Sequence, residues 1–435
     1  MDFAFATFLG IISGIVVGAF PGISTSTFLL LSFPFLVQQS FLFCIIFYAT
    51  ILSVSQYFGS VTTLSFGVPG ETTSFPLLEV RDDIIRSNSI NQVHFLCAYG
   101  SLIAFFLSST FLIFTIDFFS QIIFYLKSYI SLTFAIVGII LCIFYSSNTK
   151  IISIIFVFFA WLCGKVGYDP IYNDSFLTFN NVYLYAGIPT LPAILGIYAI
   201  PNLLKMTREI KKIACHVERY NHKFEKIRLS LNYTLTIFRS STIGFFCGLV
   251  PYVGSGMSSY IAFLIEKKAN PKDFIAHAIA SESSNNSANF SVLIPLLFLG
   301  IAIIPSEFIL IEIISSTNKS VIWKSIYENF FIIIGWVFVA NVISFIFSWN
   351  LINVVNKAII KLKTFFPVLI MCFIFWNIYL LGVDSSQEVY YISILLIFSF
   401  FGILLNRYDL LPFVYVFLLQ NTLDQIIYRI CQIYF

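Results

Sequence analysis

The chain is 435 residues long, 59% hydrophobic, 18% aromatic and only 10% charged, with a formal net charge of +3. So little polar surface cannot cover a soluble globule, and no basic arm is present to bind nucleic acid. The composition is that of an all-α polytopic protein of the lipid bilayer; a β-barrel is excluded because the apolar runs are continuous rather than alternating.

Runs long enough for a ~30 Å hydrocarbon core fall near residues 5–33, 41–66, 93–117, 118–147, 150–163, 183–204, 233–265, 288–316, 325–350, 365–382, 388–405 and 409–430. Several are too long, or too interrupted by Gly and Pro, for simple helices. Roughly ten to twelve membrane elements are expected, some as half-helices or re-entrant hairpins. The first run lacks a basic leader and an A-x-A cleavage site behind its apolar stretch and continues through Pro21-Gly22 into more apolar sequence, so it is expected to be retained.

That run contains Gly14-Ile-Val-Val-Gly18-Ala-Phe-Pro21, a G-x-x-x-G-x-x-P pattern that returns 230 residues later as Gly244-Phe-Phe-Cys-Gly248-Leu-Val-Pro251. G-x-x-x-G alone is common helix-packing chemistry in membranes. Two copies in matching places read as a duplicated half, an architecture in which Gly/Pro-broken helices carry substrate and ions near the midplane. The chain divides accordingly into a first half (1–204), a basic loop (205–228) and a second half (229–435).

After each break comes a stretch too polar for its surroundings. The first runs from Gly59 to Ser74 and includes Ser60, Thr62 and Thr63. Glu71, in Pro69-Gly70-Glu71, reads equally as a turn at the membrane edge, and Arg81, Asp82, Asp83 and Arg86 read as a solvated interfacial loop. The loop from Lys205 to Arg228 holds eight Lys/Arg against three Glu, which places it in the cytoplasm. Lys267, Lys268 and Lys272 form a second basic cluster, so both flanks of 233–265 are expected on one side. Pro251, Gly254, Ser255 and Gly256 interrupt that segment, which is therefore expected to be a hairpin rather than one tilted span.

The second polar stretch is Ala280-Ser281-Glu282-Ser283-Ser284-Asn285-Asn286-Ser287-Ala288-Asn289. Polar side chains in lipid are costly and mark a pathway or site; in water the same residues would be ordinary turn chemistry. Hydroxyl and amide oxygens suit a hard cation, and helix N-termini suit an anion. Coupling-ion ligands are therefore expected from Ser60, Thr62, Thr63, Glu282, Asn285 and Asn286. An anionic substrate is expected at Gly22, Ser24 and Thr25 and at Gly254, Ser255, Gly256 and Ser258. Neither break contains an arginine in sequence, so the anion is expected to be held by dipoles and hydroxyls, with modest affinity.

The eight cysteines (44, 97, 142, 163, 215, 247, 372, 431) lack C-x-x-C spacing and read as small hydrophobes. The four histidines (94, 216, 222, 277) lack metal-ligand spacing, and no nucleophile elbow, P-loop, H-E-x-x-H or paired-carboxylate signature is present. No enzyme is expected, and no cofactor beyond a coupling Na⁺ or H⁺.

At these residues the sequence resembles the large membrane subunit of the tripartite tricarboxylate transporters, the TctA-type permeases. The resemblance rests on an ordered set of blocks. Gly14 to Gly22 and Leu29 to Pro34 come first, followed by Gly59-Ser60-Val61 through Val68-Pro69-Gly70. Next are Gly167-Tyr168-Asp169-Pro170, Phe176 to Phe179, Gly187-Ile188 and Leu195-Gly196-Ile197-Tyr198-Ala199. The second half supplies Gly244 to Gly254, Glu266-Lys267, Ser281 to Ser287, Ile294-Pro295-Leu296-Leu297-Phe298-Leu299-Gly300-Ile301 and Tyr408 to Val414.

The resemblance implies a cation-coupled carboxylate importer of the bacterial inner membrane. It also implies two partners: a periplasmic solute-binding protein and a small four-helix membrane subunit. The chain departs from the family pattern at Tyr252, at Ser281, at Ile301-Ala302-Ile303-Ile304-Pro305-Ser306 and at Leu78 to Asp83, which implies a shifted substrate or a changed activity. Envelope-polysaccharide flippases and polymerases share the Phe/Ile-rich, low-charge composition, but would not be expected to carry the duplicated glycine motif with Ser-Asn-Asn behind it. A membrane-embedded hydrolase would need a base–nucleophile pair that is not seen.

Overall fold

A computed structural model of the chain describes residues 2–20, 23–67, 72–169, 174–201, 204, 231–251, 253–299, 302–315, 322–350 and 385–419, with isolated positions 352, 354, 357, 361, 365, 368 and 372. Gly22, Pro69 to Glu71, the 205–228 loop, Tyr252 and most of the 365–382 segment lie outside the described residues.

The first elements are α1 (Asp2–Ala19), α2 (Thr25–Leu36), α3 (Phe41–Phe66), a 3₁₀ turn (Thr72–Ser74), α4 (Phe75–Arg86), α5 (Ile90–Tyr145) and α6 (Lys150–Lys165). A short antiparallel ribbon follows, β1 (Gly167–Asp169) on β2 (Asp174–Phe176), then α7 (Val182–Tyr185) and α8 (Thr190–Ile194), which continues as a π turn, Leu195–Ala199. The second series is α9 (Leu231–Gly248), α10 (Gly254–Ala269), α11 (Phe274–Ile294) with a π turn at Pro295–Leu299, α12 (Pro305–Ser315), α13 (Ile322–Asn350) and α14 (Ser385–Leu404). The last helix among the described residues, α15, covers residues 411–419.

The class expected from composition is the one observed. In an apolar medium each segment must satisfy its own backbone, and the helix does so. Among the described residues, four helices are long and apolar enough to cross a membrane: Asp2–Ala19, Phe41–Ser65, Ile90–Phe114 and Asn329–Ser348. The second of these is 94% buried by protein, so α3 is a central helix rather than a lipid-facing one. Its ends are set locally. The Ser40 hydroxyl accepts from the Phe43 N–H at 3.3 Å, and Gly67, at φ +69°, closes the C-terminus in a left-handed turn open to glycine.

Sequence spacing predicts two segments over 93–117 and 118–147; the structure has one helix of 56 residues, α5. No Gly or Pro stands between Gly100 and Gly138 to end it. Residues 81–86 are likewise helical, forming the end of α4 rather than a solvated loop.

The hairpin expected over 233–265 is present. Helix α9 ends at Gly248, and α10 starts at Gly254 with φ +51°. Arg239 of α9 pairs with Glu266 of α10, 27 residues on. In one continuous helix these residues would stand about 40 Å apart at ~1.5 Å per residue. The Glu266 carboxylate is fully buried and also accepts from Thr236 Oγ1 at 3.2 Å and Asn270 Nδ2 at 2.5 Å. Arg239→Ala would strand that carboxylate, and we expect it to cost roughly 3 kcal/mol, the low end for breaking a buried pair because the guanidinium is partly exposed. Adding Glu266→Gln should recover much of the loss in thermal melting of the purified protein. A double variant no better than Arg239→Ala would show that the buried charge is not the cause.

Helix packing repeats at the glycine-motif offset. Gly14 lies on Val54, where an added Cβ would stand 2.6 Å from the Val54 Cβ; Gly244 lies on Ser284, where it would stand 2.8 Å from the carbonyl carbon. Positions 54 and 284 differ by the same 230 residues as the glycines. Helices α4 and α12 start at Phe75 and Pro305, again 230 apart. Each long helix then crosses to the other series: α5 packs along α11, and α13 packs along α3.

Candidate functional site

The second polar stretch is the middle of a helix. Ser281, Glu282, Ser283, Ser284, Asn285, Asn286, Ser287 and Asn289 all lie in α11 and are all at most 3% exposed. The apolar run read from residue 288 is therefore only the end of an element that begins at Phe274, capped by Asp273 accepting from the Ala276 N–H at 3.0 Å. Ser and Asn favour turns where water competes for the backbone. Enclosed by α5, α9 and α10, the backbone closes on itself and the side chains bond to neighbouring helices.

On one side, α11 meets the first series of helices. Asn285 Nδ2 donates to Gln56 Oε1 at 2.7 Å, and Thr73 Oγ1 donates to the same oxygen at 2.8 Å. Ser259 Oγ donates to the Thr73 carbonyl at 2.7 Å and shares a hydrogen bond with Ser281 Oγ at 2.6 Å. Gln56, Thr73, Ser259, Ser281 and Asn285 thus form one buried cluster drawn from α3, the 3₁₀ turn, α10 and α11. Next to it, Ser284 Oγ donates to the Ser258 carbonyl at 3.0 Å.

On the other side, α5 supplies the partners. Asn286 Nδ2 donates to Ser101 Oγ at 2.7 Å, and Ser287 Oγ shares a hydrogen bond with Ser108 Oγ at 2.6 Å. The Glu282 carboxylate, wholly buried, lies one helical turn before Asn286 and within electrostatic reach of Cys97. Asn286 Oδ1 and Ser283 Oγ are buried with no hydrogen-bond partner among the described residues. His94, buried one turn before Cys97, also keeps both ring nitrogens without a hydrogen-bond partner there.

The first-series candidates are placed differently. Ser60 Oγ donates to the Tyr57 carbonyl at 3.0 Å and Thr63 Oγ1 to the Gly59 carbonyl at 2.8 Å. Thr62 Oγ1 contacts the Phe58 carbonyl at 3.2 Å and the Ala19 carbonyl at 3.0 Å, fastening the end of α1 to α3. Their hydroxyls close backbone, and these bonds do not join them to Glu282. Glycine packing also puts 281–289 in register with 51–59, upstream of the hydroxyl-rich block. Gln56 occupies that register, 230 residues before Asn286. It is the sole amide in 41–66, a signal the repeat offset exposes.

The expected anion positions are helix N-termini. Ser24 caps α2, accepting from the Thr27 N–H at 3.1 Å, with Thr25 buried behind it. Gly254, Ser255 and Gly256 open α10, and Ser258 Oγ donates to the Ser255 carbonyl at 3.0 Å. An arginine is nevertheless close to the end of α3 in the first series. Arg81 Nε donates to the Leu64 carbonyl at 2.9 Å and Nη2 to the Ser65 carbonyl at 3.4 Å, beside Gly67. Folding of α4 onto α3 puts a guanidinium on the electronegative C-terminus of α3, which sequence distance conceals.

Residues 4–416 match the tripartite tricarboxylate transporter TctA family. Over 382 residues the chain is 23% identical to an Agrobacterium vitis protein described as an uncharacterized 52.8 kDa protein in the TAR-I ttuC' 3' region, covering 84% of this chain and 74% of that relative. No solved structure matches the chain.

Proposed function

The chain belongs to the tripartite tricarboxylate transporter TctA family, a family of transporters rather than enzymes, and from that premise we propose that it is the permease subunit importing a small di- or tricarboxylate across the bacterial inner membrane, driven by Na⁺ or H⁺. A solute-binding protein delivers the anion, and a small membrane subunit completes the assembly.

One observation carries the reading: a run of hydroxyl, amide and carboxylate side chains, fully buried in mid-helix, with acceptors at Asn286 Oδ1 and Ser283 Oγ left over beside Glu282. Buried polar groups are ordinarily paired, so leftover oxygens on one side of a carboxylate-bearing helix favour a cation as the missing partner. Glu282, Ser283 and Asn286 would hold it. The anion would be received by the N–H groups opening α2 and α10, next to Ser24, Thr25, Ser255 and Ser258. The buried cluster at Gln56 joins the two series of helices and would transmit occupancy from one to the other.

The test is uptake of labelled carboxylates by cells expressing the chain with its partner subunits, with and without Na⁺. Asn286→Ala is expected to raise the cation concentration for half-maximal uptake about tenfold or more, since a hydrogen-bonding contact to a charge is worth ~1.5–3 kcal/mol. Glu282→Gln is expected to lose cation stimulation. Unchanged uptake in both variants at equal expression would remove the cation from α11.

A further inference from the structure

A further buried acid lies outside this site. Glu307, in the first turn of α12, is completely buried. Its Oε2 accepts from the Ile303 N–H at 2.8 Å, and the Ile304 N–H also faces the carboxylate. Its Oε1 makes no hydrogen bond among the described residues, and no Lys, Arg or His there pairs with it.

Among the described residues the surroundings offer no counter-charge. The described helices packed most extensively on α12 are α2 and α3, and neither carries an Asp, Glu, Lys, Arg or His. Of the titratable groups on α3, Tyr48 shares a hydrogen bond with Ser306 Oγ at 2.9 Å, Tyr57 donates to Asn341 Oδ1 at 3.0 Å, and the Cys44 thiol donates to the Leu36 carbonyl at 3.3 Å. On α15, Tyr415 is buried within electrostatic reach of Glu307 and of Cys142 on α5, and its ring meets Phe308 edge-on at 5.4 Å. Further along α12 itself, Glu312 accepts from Thr190 Oγ1 at 3.4 Å.

A carboxylate without a counter-ion in such an interior is neutralised, by a proton or by a bound metal ion. The partial charge of the α12 N-terminus favours the anion, but it is a fraction of a charge set against the desolvation of a whole one. Hard metal ions need about six oxygen ligands. The residues beside Glu307 in the chain, Ile303, Phe308, Ile309 and Leu310, are buried and apolar, and the hydroxyls of Tyr48 and Ser306 are engaged with each other. A proton needs one oxygen, and Oε1 is that oxygen.

We propose that Glu307 is a proton-binding carboxylate, neutral in this conformation and separate from the cation pocket at Glu282. Because residues 302–304, outside any helix, lead directly into α12, a movement of residues 302–306 that admits water to Oε1 would release the proton, making the chain's working cycle pH-dependent at a second position.

The test is infrared spectroscopy of the full chain in lipid vesicles, without substrate, so the outcome is independent of the carboxylate reading. A protonated carboxyl carbonyl stretch is expected at neutral pH, shifted by deuterium, lost in Glu307→Gln and retained in Glu282→Gln. Were Glu307→Gln not recovered as folded protein, Glu307→Asp keeps the acid on a shorter stem and should move that band. A spectrum unchanged by either Glu307 substitution overturns the proposal. So does a wild-type band that vanishes on adding Na⁺ at constant pH, which would assign the position to the metal ion.

Discussion

Gly244→Val is expected to remove nearly all folded protein from the membrane, whereas Gly335→Ala is expected to leave its amount unchanged or slightly raised. At Gly244 an added Cβ would stand 2.8 Å from the Ser284 carbonyl carbon and 2.9 Å from its Cα, so the obstacle is backbone, in the middle of the buried polar helix. Overpacking against side chains costs ~1–3 kcal/mol because they can turn aside; here α9 must lift off α11 and unmake the contacts on both. Against a total stability of ~5–15 kcal/mol that loss is decisive. Gly18 presents the same situation on α3, with a Cβ 2.9 Å from the Ser55 carbonyl carbon, and Gly18→Val should fail alike. At Gly335 nothing lies within 4 Å of the added carbon. Ala there is also the better helix former by ~1 kcal/mol. Fluorescence-detected size exclusion of tagged variants separates the outcomes. Equal recovery of Gly244→Val and Gly335→Ala would refute the close approach.

The second large effect is expected at Gln56. Gln56→Leu conserves bulk but leaves the Thr73 hydroxyl and the Asn285 amide without their shared acceptor. A buried donor left unsatisfied costs ~1–3 kcal/mol, so the pair together loses about 2–6 kcal/mol. Uptake should fall about thirtyfold or more, the low end of that range at ~1.4 kcal/mol per factor of ten. Asn285→Ala removes one of the two donors and should cost less. Because the residues share a bond, the double variant should fall short of the sum by ~0.5–3 kcal/mol. Strict additivity in melting and in uptake would mean that the two do not interact and that the buried cluster does not join the two helix series.

How far the sequence carries depends on which interaction decides each feature. Membrane class, the break at Pro251-Gly254 and the hairpin around it were legible because backbone chemistry and flanking lysines act locally. The polar run at 281–289 was legible as anomalous but not as helical. Its Ser and Asn residues signal turns in water, and only enclosure by α5, α9 and α10 reverses that preference. Ser60, Thr62 and Thr63 drew notice by residue type, yet each hydroxyl finds a carbonyl within its own helix or at Ala19, a choice composition does not reveal. Gln56 was overlooked because it is a single polar residue in an apolar stretch; its weight comes from a partner 229 residues away. Arg81 reads as surface by sequence and becomes a cap on α3 only once α4 folds back. Glu307 lies inside the apolar run 288–316 and is not singled out by sequence, because the missing counter-charge is a property of α2 and α3 rather than of α12.

The crossing of the long helices has a consequence in time. During synthesis α3 leaves the ribosome with Ser53, Gln56 and Tyr57 already facing apolar surroundings, while their partners Asn341 and Asn285 are 229 to 288 residues behind. At ~5–20 residues per second that delay is roughly 10–60 s. Helix α11 meets no such interval, since α5 precedes it. The early helices must therefore be sheltered by the insertion machinery or held at its edge until the late ones arrive. The vulnerable period of this protein's life falls between making the early member of each of these hydrogen bonds and making its late partner, well before any cargo is bound.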